Sequence, residues 1–218
     1  LYCLDLTEVE KTEDEIKFEA LIWSETAKGI PLYHYRAIIN ITKQVIAERK
    51  LEESIQPVTE SFLNLQPYQA GVLFHQPRFQ GIKKILEINN NELLFNCYLP
   101  KISTQDQGQF SVQSFNSYTA DLLFQCLLVW VRKHYNSGSL PLKLNELEQF
   151  SSLPFNQEFW IKLSINEHSD TKVIANALAY HSQGKIYLEA TNMEVTLSSC
   201  LNVLFLNNTV NSSNTVCL

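Results

Sequence analysis

The chain has 218 residues, 45% hydrophobic and 11% aromatic, the composition of one globular domain or two small ones and not of a disordered or fibrous chain. Its net charge of −6 comes without a Lys/Arg cluster beyond two or three residues, which argues against nucleic-acid binding, since phosphate recognition needs a basic patch. No apolar run reaches the ~18 residues of a membrane span, and the acidic opening "LYCLDLTEVEKTEDE" lacks the basic flank of a signal peptide.

In chain order, "IKFEALIW" (Ile16 to Trp23) and "LYHYRAIINI" (Leu32 to Ile41) alternate as strands, with "AKGIP" as the turn between them. The polar stretch that follows, with two prolines, reads as a linker with room for a short helix. From Gly71 the character changes. "GVLFHQPRFQGIKKILEI" enters through a Pro-bearing turn, and strands are expected near Lys83–Glu87 and Leu93–Leu99. After the loop "LPKISTQDQGQF" comes "SYTADLLFQCLLVWVRKHY", Ser117 to Tyr135, apolar on nearly every side at helical period. Such a helix belongs inside a core. Beyond "HYNSGS" the chain alternates again in "LPLKLNELEQF", "QEFWIKLSI", "KVIANALAY" and "KIYLEATNMEVT", with "HSQG" as a hairpin turn before the last. A long buried helix followed by four or more antiparallel-type strands gives an α+β fold, a sheet wrapped around a helix.

The five cysteines (Cys3, Cys97, Cys126, Cys200, Cys217) are odd in number and widely spaced, with no CxxC or Cys/His cluster to hold a metal. A reducing cytoplasm is the expected compartment, and Cys126 reads as a small core hydrophobe. No GxSxG elbow and no glycine-rich phosphate loop is present.

Asp121 is out of place in the apolar helix. Two readings compete. An acid early in a helix supports its N-terminus, where the backbone dipole favours a carboxylate by roughly 0.3–1 kcal/mol. A carboxyl held in an apolar place is also a proton donor, because complete burial raises a carboxyl pKa by roughly 3–5 units. Gln125, four residues on, shares its helix face and is placed to hydrogen-bond it.

Several motifs together resemble the dehydratase domains of polyketide synthases, with the dehydratase-like domain of polyunsaturated fatty acid synthases as the closest flavour. "FHQPRFQGI" (Phe74 to Ile82) looks like the YGPxF or HGPxFQ motif that opens the family's second hotdog. "TADLLFQ" (Thr119 to Gln125) matches the DxxxQ motif of its central helix. "SLPLKLNELEQF" resembles the strand after that helix, and "GKIYLEATNMEVTLSSCLNVLF" the closing strand. Each motif is weak alone; their order and spacing over some 130 residues are fairly specific.

The resemblance implies a double hotdog with an incomplete first half. Residues 1–50 would be the last strands of a first hotdog, 51–70 a linker, 71–206 the second hotdog and 207–218 a polar tail. It implies removal of water from a 3-hydroxyacyl thioester to give a trans-2-enoyl thioester. The substrate would ride on the phosphopantetheine of an acyl carrier protein, with no metal or redox cofactor of the domain's own. Asp121 and Gln125 would take the catalytic positions, acid and orienter. His75, Pro77 and Phe79 would meet the substrate, Pro77 and Phe79 as turn and core more than chemistry. Neighbouring megasynthase domains and a second copy in a homodimer are the further partners expected; nucleic acid and membrane are not.

The sequence departs from the family in two places. Gln76 stands where the motif has glycine, which puts the loop geometry in question. The base motif HxxxGxxxxP fits none of His34, His75, His134, His168 and His181. Either the base lies upstream in a longer polypeptide, or the domain has become a silent scaffold or acyl-binding piece. A product-template domain, which guides cyclisation, shares the fold. A free-standing hotdog thioesterase fits less well, because of the linker after Ile41.

Overall fold

The computed structural model describes residues 1–43, 49–51, 66–107, 115–153 and 155–202. Most of the expected linker and all of the expected polar tail lie outside them. The chain divides into two compact units, Leu1–Ala47 and Glu48–Leu218.

In the first unit, β1 (Tyr2–Lys11), β2 (Glu15–Glu25) and β3 (Pro31–Thr42) form an antiparallel meander. Sequence reading anticipates β2 and β3 but not β1, whose acids mask its period-two alternation of Tyr2, Leu4 and Leu6. Thr12 closes the first turn, its hydroxyl accepting from Glu15 N at 3.1 Å. Gly29 closes the second at φ 72°, in the left-handed region that a side chain disfavours. Register sets Leu4 beside Ile22 and Tyr35, and Leu6 beside Ala20 and Ala37, so one face is nearly all apolar. The other face carries the Arg36–Glu19 ion pair and the Trp23 Nε1 bond to Asp5 Oδ2 at 2.8 Å.

The second unit is a six-stranded antiparallel sheet of β4 (Ile82–Asn89), β5 (Glu92–Tyr98), β6 (Gly138–Gln149), β7 (Glu158–His168), β8 (Lys172–Tyr180) and β9 (Ile186–Ser198). Its order is β4-β5-β7-β8-β9-β6, so β4 and β6 are the outer strands. The helix α1 spans Ser117–Tyr135, as expected. Its start is set by Asn116, whose side-chain oxygen accepts from Tyr118 N and Thr119 N at 3.1 and 3.3 Å. Its end is set by Asn136 at φ 47°, whose N–H reaches Arg132 O at 3.0 Å. Arg132, Lys133 and His134 fill the last turn, where cations suit the helix dipole.

The helix is apolar around its circumference because the sheet curves over it: its backbone comes within 8 Å (Cα–Cα) of β6, β7, β8 and β9. Leu122, Leu123, Leu127 and Trp130 bury against Phe95, Phe159, Ile161, Leu163, Val195 and Met193. Each such side chain removed from water contributes about 1.5–3 kcal/mol. Ala175, Ala177 and Ala179 present small side chains from the inward face of β8, leaving room for the helix. Cys126 is fully buried, as its reading as a core hydrophobe requires, and burial beside Cys97 pushes its thiol up. Trp130 Nε1 donates to Asn90 O at 3.0 Å, tying the helix to the β4–β5 turn, and His134 stacks on its ring at 3.9 Å. On the outer face of the sheet a smaller cluster joins Leu86, Leu94, Phe150, Tyr180 and Ile186.

Candidate active site

The segment before β4 folds back onto α1. Backbone bonds from Ala70 to Gln66 and from Val72 and Leu73 to Pro67 form a tight turn, with Gly71 at φ 67°. Pro77 then opens a one-turn 3-10 helix, Pro77–Phe79, for which its fixed φ is suited. Gln76, which replaces the motif's glycine, sits at φ −71° and ψ 162°, extended backbone open to any residue. The substitution therefore costs the loop nothing.

Gly81 is the residue the loop does require. A Cβ there would lie 2.6 Å from Leu122 Cδ1 and 3.2 Å from Leu99 Cδ2. A larger residue could pass this close to α1 before β4 begins only by displacing Leu122.

These two pieces bring the expected residues together. Asp121 is in the second turn of α1, and no acid stands in the first. Since Asn116 caps the helix, the capping reading of Asp121 falls away. Gln125, fully buried, donates from Nε2 to Asp121 Oδ2 at 2.7 Å and to Phe79 O at 2.8 Å. His75 Nε2 lies 3.5 Å from the same Oδ2. Among the described residues nothing bonds Asp121 Oδ1. His75 stacks on Phe74 at 4.5 Å, and its carbonyl accepts from Gln80 Nε2 at 2.8 Å.

The cluster opens into a cleft of about 330 Å³ lined by Phe74, His75, Gln76, Phe79, Asp121, Phe124, Gln125, Leu128 and Pro141. Pro77 is not part of the lining; it shapes the turn. The Asp121 side chain keeps 33% of its surface and that of His75 only 11%. The carboxyl is thus less dry than the proton-donor argument from sequence requires.

A sequence profile of the polyketide synthase dehydratase N-terminal domain matches residues 49–202. The chain belongs to the polyketide synthase dehydratase family. One polyunsaturated fatty acid synthase polypeptide of Thraustochytrium sp. is 26% identical over 163 residues, covering 71% of this chain and 6% of that protein. The chain therefore spans a small part of that relative's length. The trans-AT polyketide synthase dehydratase domain from Brevibacillus brevis superimposes with a TM-score of 0.67 at 18% identity, over 89% of this chain and 68% of that one. The dehydratase domain of the CurJ module of curacin polyketide synthase gives 0.64 at 15% identity, over 89% and 67%. The sheet around α1 is the hotdog fold of these dehydratases, and the motif residues Asp121 and Gln125 stand on its central helix.

Sequence reasoning missed Tyr68. Its hydroxyl donates to Gln125 Oε1 at 2.7 Å and accepts from Gly81 N and Ile82 N at 2.9 and 3.0 Å. It sits in "LQPYQ", whose polarity and proline read as linker. Phe124, Leu128 and Pro141 were legible only as core or strand residues, since which of them face the cleft depends on how the loop closes.

The other histidines lie elsewhere in the fold. His134 bonds Trp130 O through Nδ1 at 3.0 Å, and His168 meets Tyr135 OH at 2.5 Å, both at the C-terminal end of α1. His34, in the first unit, is hydrogen-bonded to Ser24 Oγ at 2.7 Å.

Proposed function

We propose that this domain dehydrates a 3-hydroxyacyl thioester carried on an acyl carrier protein, with Asp121 as the proton donor to the departing hydroxyl. The observation that carries this reading is the Asp121–Gln125–His75 cluster in a cleft whose other lining residues, Gln76 apart, are apolar. Oδ2 already faces two nitrogens, so the proton to be delivered rides on Oδ1. An acyl chain in the cleft covers the remaining surface of the carboxyl, which favours the neutral acid.

His75 donates through Nε2, to Asp121 Oδ2 while the cleft is empty and to the hydroxyl or thioester oxygen when an acyl chain fills it. Its Nδ1 is buried without a partner among the described residues, while Nε2 faces a carboxylate oxygen. The tautomer that suits these surroundings carries its proton on Nε2, because a buried unpaired N–H at Nδ1 is the costlier alternative. The nitrogen left without a proton, Nδ1, is buried, so it is not presented to a substrate in the cleft. The base that takes the α-proton comes, in this reading, from a first hotdog, of which β1–β3 are the last strands. As the Cα–H bond breaks, the double bond forms, the Cβ–O bond breaks and Asp121 supplies the proton that turns the hydroxyl into water.

The domain would work beside other megasynthase domains in the cytoplasm, as a homodimer, with no metal or redox cofactor of its own. The silent, acyl-binding reading is favoured by one fact: beyond His75 and Asp121, no described residue lining the cleft is titratable. The test is conversion of a 3-hydroxyacyl pantetheine thioester, followed by mass spectrometry, in the parent polypeptide and in Asp121→Asn. Enoyl product that disappears in the variant supports the reading; product that survives it overturns the role of Asp121. Acyl thioester binding without product in the parent supports the silent domain.

A further inference from the structure

The hydrogen bonds behind Asp121 have a direction, and one residue sets it. The Tyr68 oxygen accepts from two backbone N–H groups, Gly81 and Ile82. Its only proton therefore goes to its third neighbour, Gln125. The end of the Gln125 amide facing Tyr68 must then be the carbonyl. That turns the NH2 group toward Phe79 O and Asp121 Oδ2 and uses both of its hydrogens. Every polar atom of the fully buried Gln125 side chain is thereby paired.

We infer that Tyr68 is a positioning residue for the acid: it acts through Gln125 to hold the amide N–H on Asp121 Oδ2. Burial pushes the Tyr68 phenol above the ordinary tyrosine range, against the two backbone bonds that pull it down, so the hydroxyl keeps its proton throughout the working range. The titratable groups near this chain are His75, on the loop side of Asp121, and Cys97 and Cys126 behind Tyr68. Without the hydroxyl, Gln125 Oε1 and two backbone N–H groups lose their partner in the interior, and the amide no longer holds its place against the carboxyl.

This inference rests on Asp121 being the proton donor, and its test reads Asp121 directly. The carboxyl carbon of Asp121 is followed by NMR against pH in the whole chain, in Tyr68→Phe, in Gln125→Leu and in the double variant. Tyr68→Phe should raise the Asp121 midpoint by on the order of one unit, as loss of a donor to a carboxylate does. In the Gln125→Leu background the same change should add nothing. Replacing Tyr68 by 3-fluorotyrosine keeps the hydroxyl and the fold while strengthening the donor, and should lower the midpoint. A Tyr68→Phe variant that melts earlier but titrates unchanged, or a fluorotyrosine protein with no shift, overturns the inference. Coupled titration in a chain whose parent makes no enoyl product overturns the dehydratase reading and leaves the role of Tyr68. Turnover lost in Asp121→Asn, with no coupling to Tyr68, does the reverse.

Discussion

Gly81→Ala is the sharpest test of how the site is assembled. The new methyl carbon would stand 2.6 Å from Leu122 Cδ1, 3.0 Å from Cδ2 and 3.2 Å from Leu99 Cδ2. Leu122 is fully buried and Leu99 nearly so, so neither can swing aside into solvent. Overpacking of this kind costs typically about 1–3 kcal/mol. The alternative to strain is that the loop backs away from α1. Gly81 N and Ile82 N would then draw off the Tyr68 hydroxyl, and the bond from Gln125 to Asp121 would slacken with it. Urea unfolding measures the first effect, and dehydration by the parent polypeptide the second. A Leu122→Val background, which shortens the side chain in the way, should recover at least half of the loss. A Gly81→Ala variant within about 0.5 kcal/mol of the parent, the range of an ordinary surface change, would refute the argument from close approach. So would a loss that Leu122→Val leaves untouched.

Two further outcomes concern stability. Asn116→Ala removes the acceptor for Tyr118 N and Thr119 N, and should lower unfolding free energy by about 0.5–2 kcal/mol, read by urea titration, with the cleft residues unchanged. Glu92 is held below the ordinary glutamate value of 4.5, first by the Lys162 ammonium at 2.6 Å and then, against the opposing effect of its burial, by donors from Asn89 and Ser164. A depressed carboxyl contributes stability that is present above its unfolded pKa and lost as pH falls through the folded one. Glu92→Gln should therefore melt below the parent at pH 7, and the gap should close as the pH drops below about 4.5.

The helix and the four strands after it were legible because their periods are strong: an apolar circumference over Ser117–Tyr135, then clean alternation in β7 and β8. Asp121 and Gln125 were legible because a spacing of four puts both on one helix face. Two features were not. β1 was hidden because Asp5, Glu8 and Glu10 are interspersed with its apolar residues, so its alternation reads as polarity. Tyr68 was hidden because its value lies in three partners distant in sequence, two of them backbone amides that carry no residue signature. Gln76 shows the converse: a departure that looks costly in sequence proves free once its φ is known.

The outer strands of the large sheet also bear on assembly. β4 carries Lys83 and Lys84 exposed and has a bulge at each end, and β6 has a proline, Pro141, at its own bulge. Charges, bulges and a missing donor are the features that keep an open strand from pairing with another chain. Two copies that meet in solution would then not run their large sheets together into one through β4 or β6, the outer strands of that sheet among the described residues.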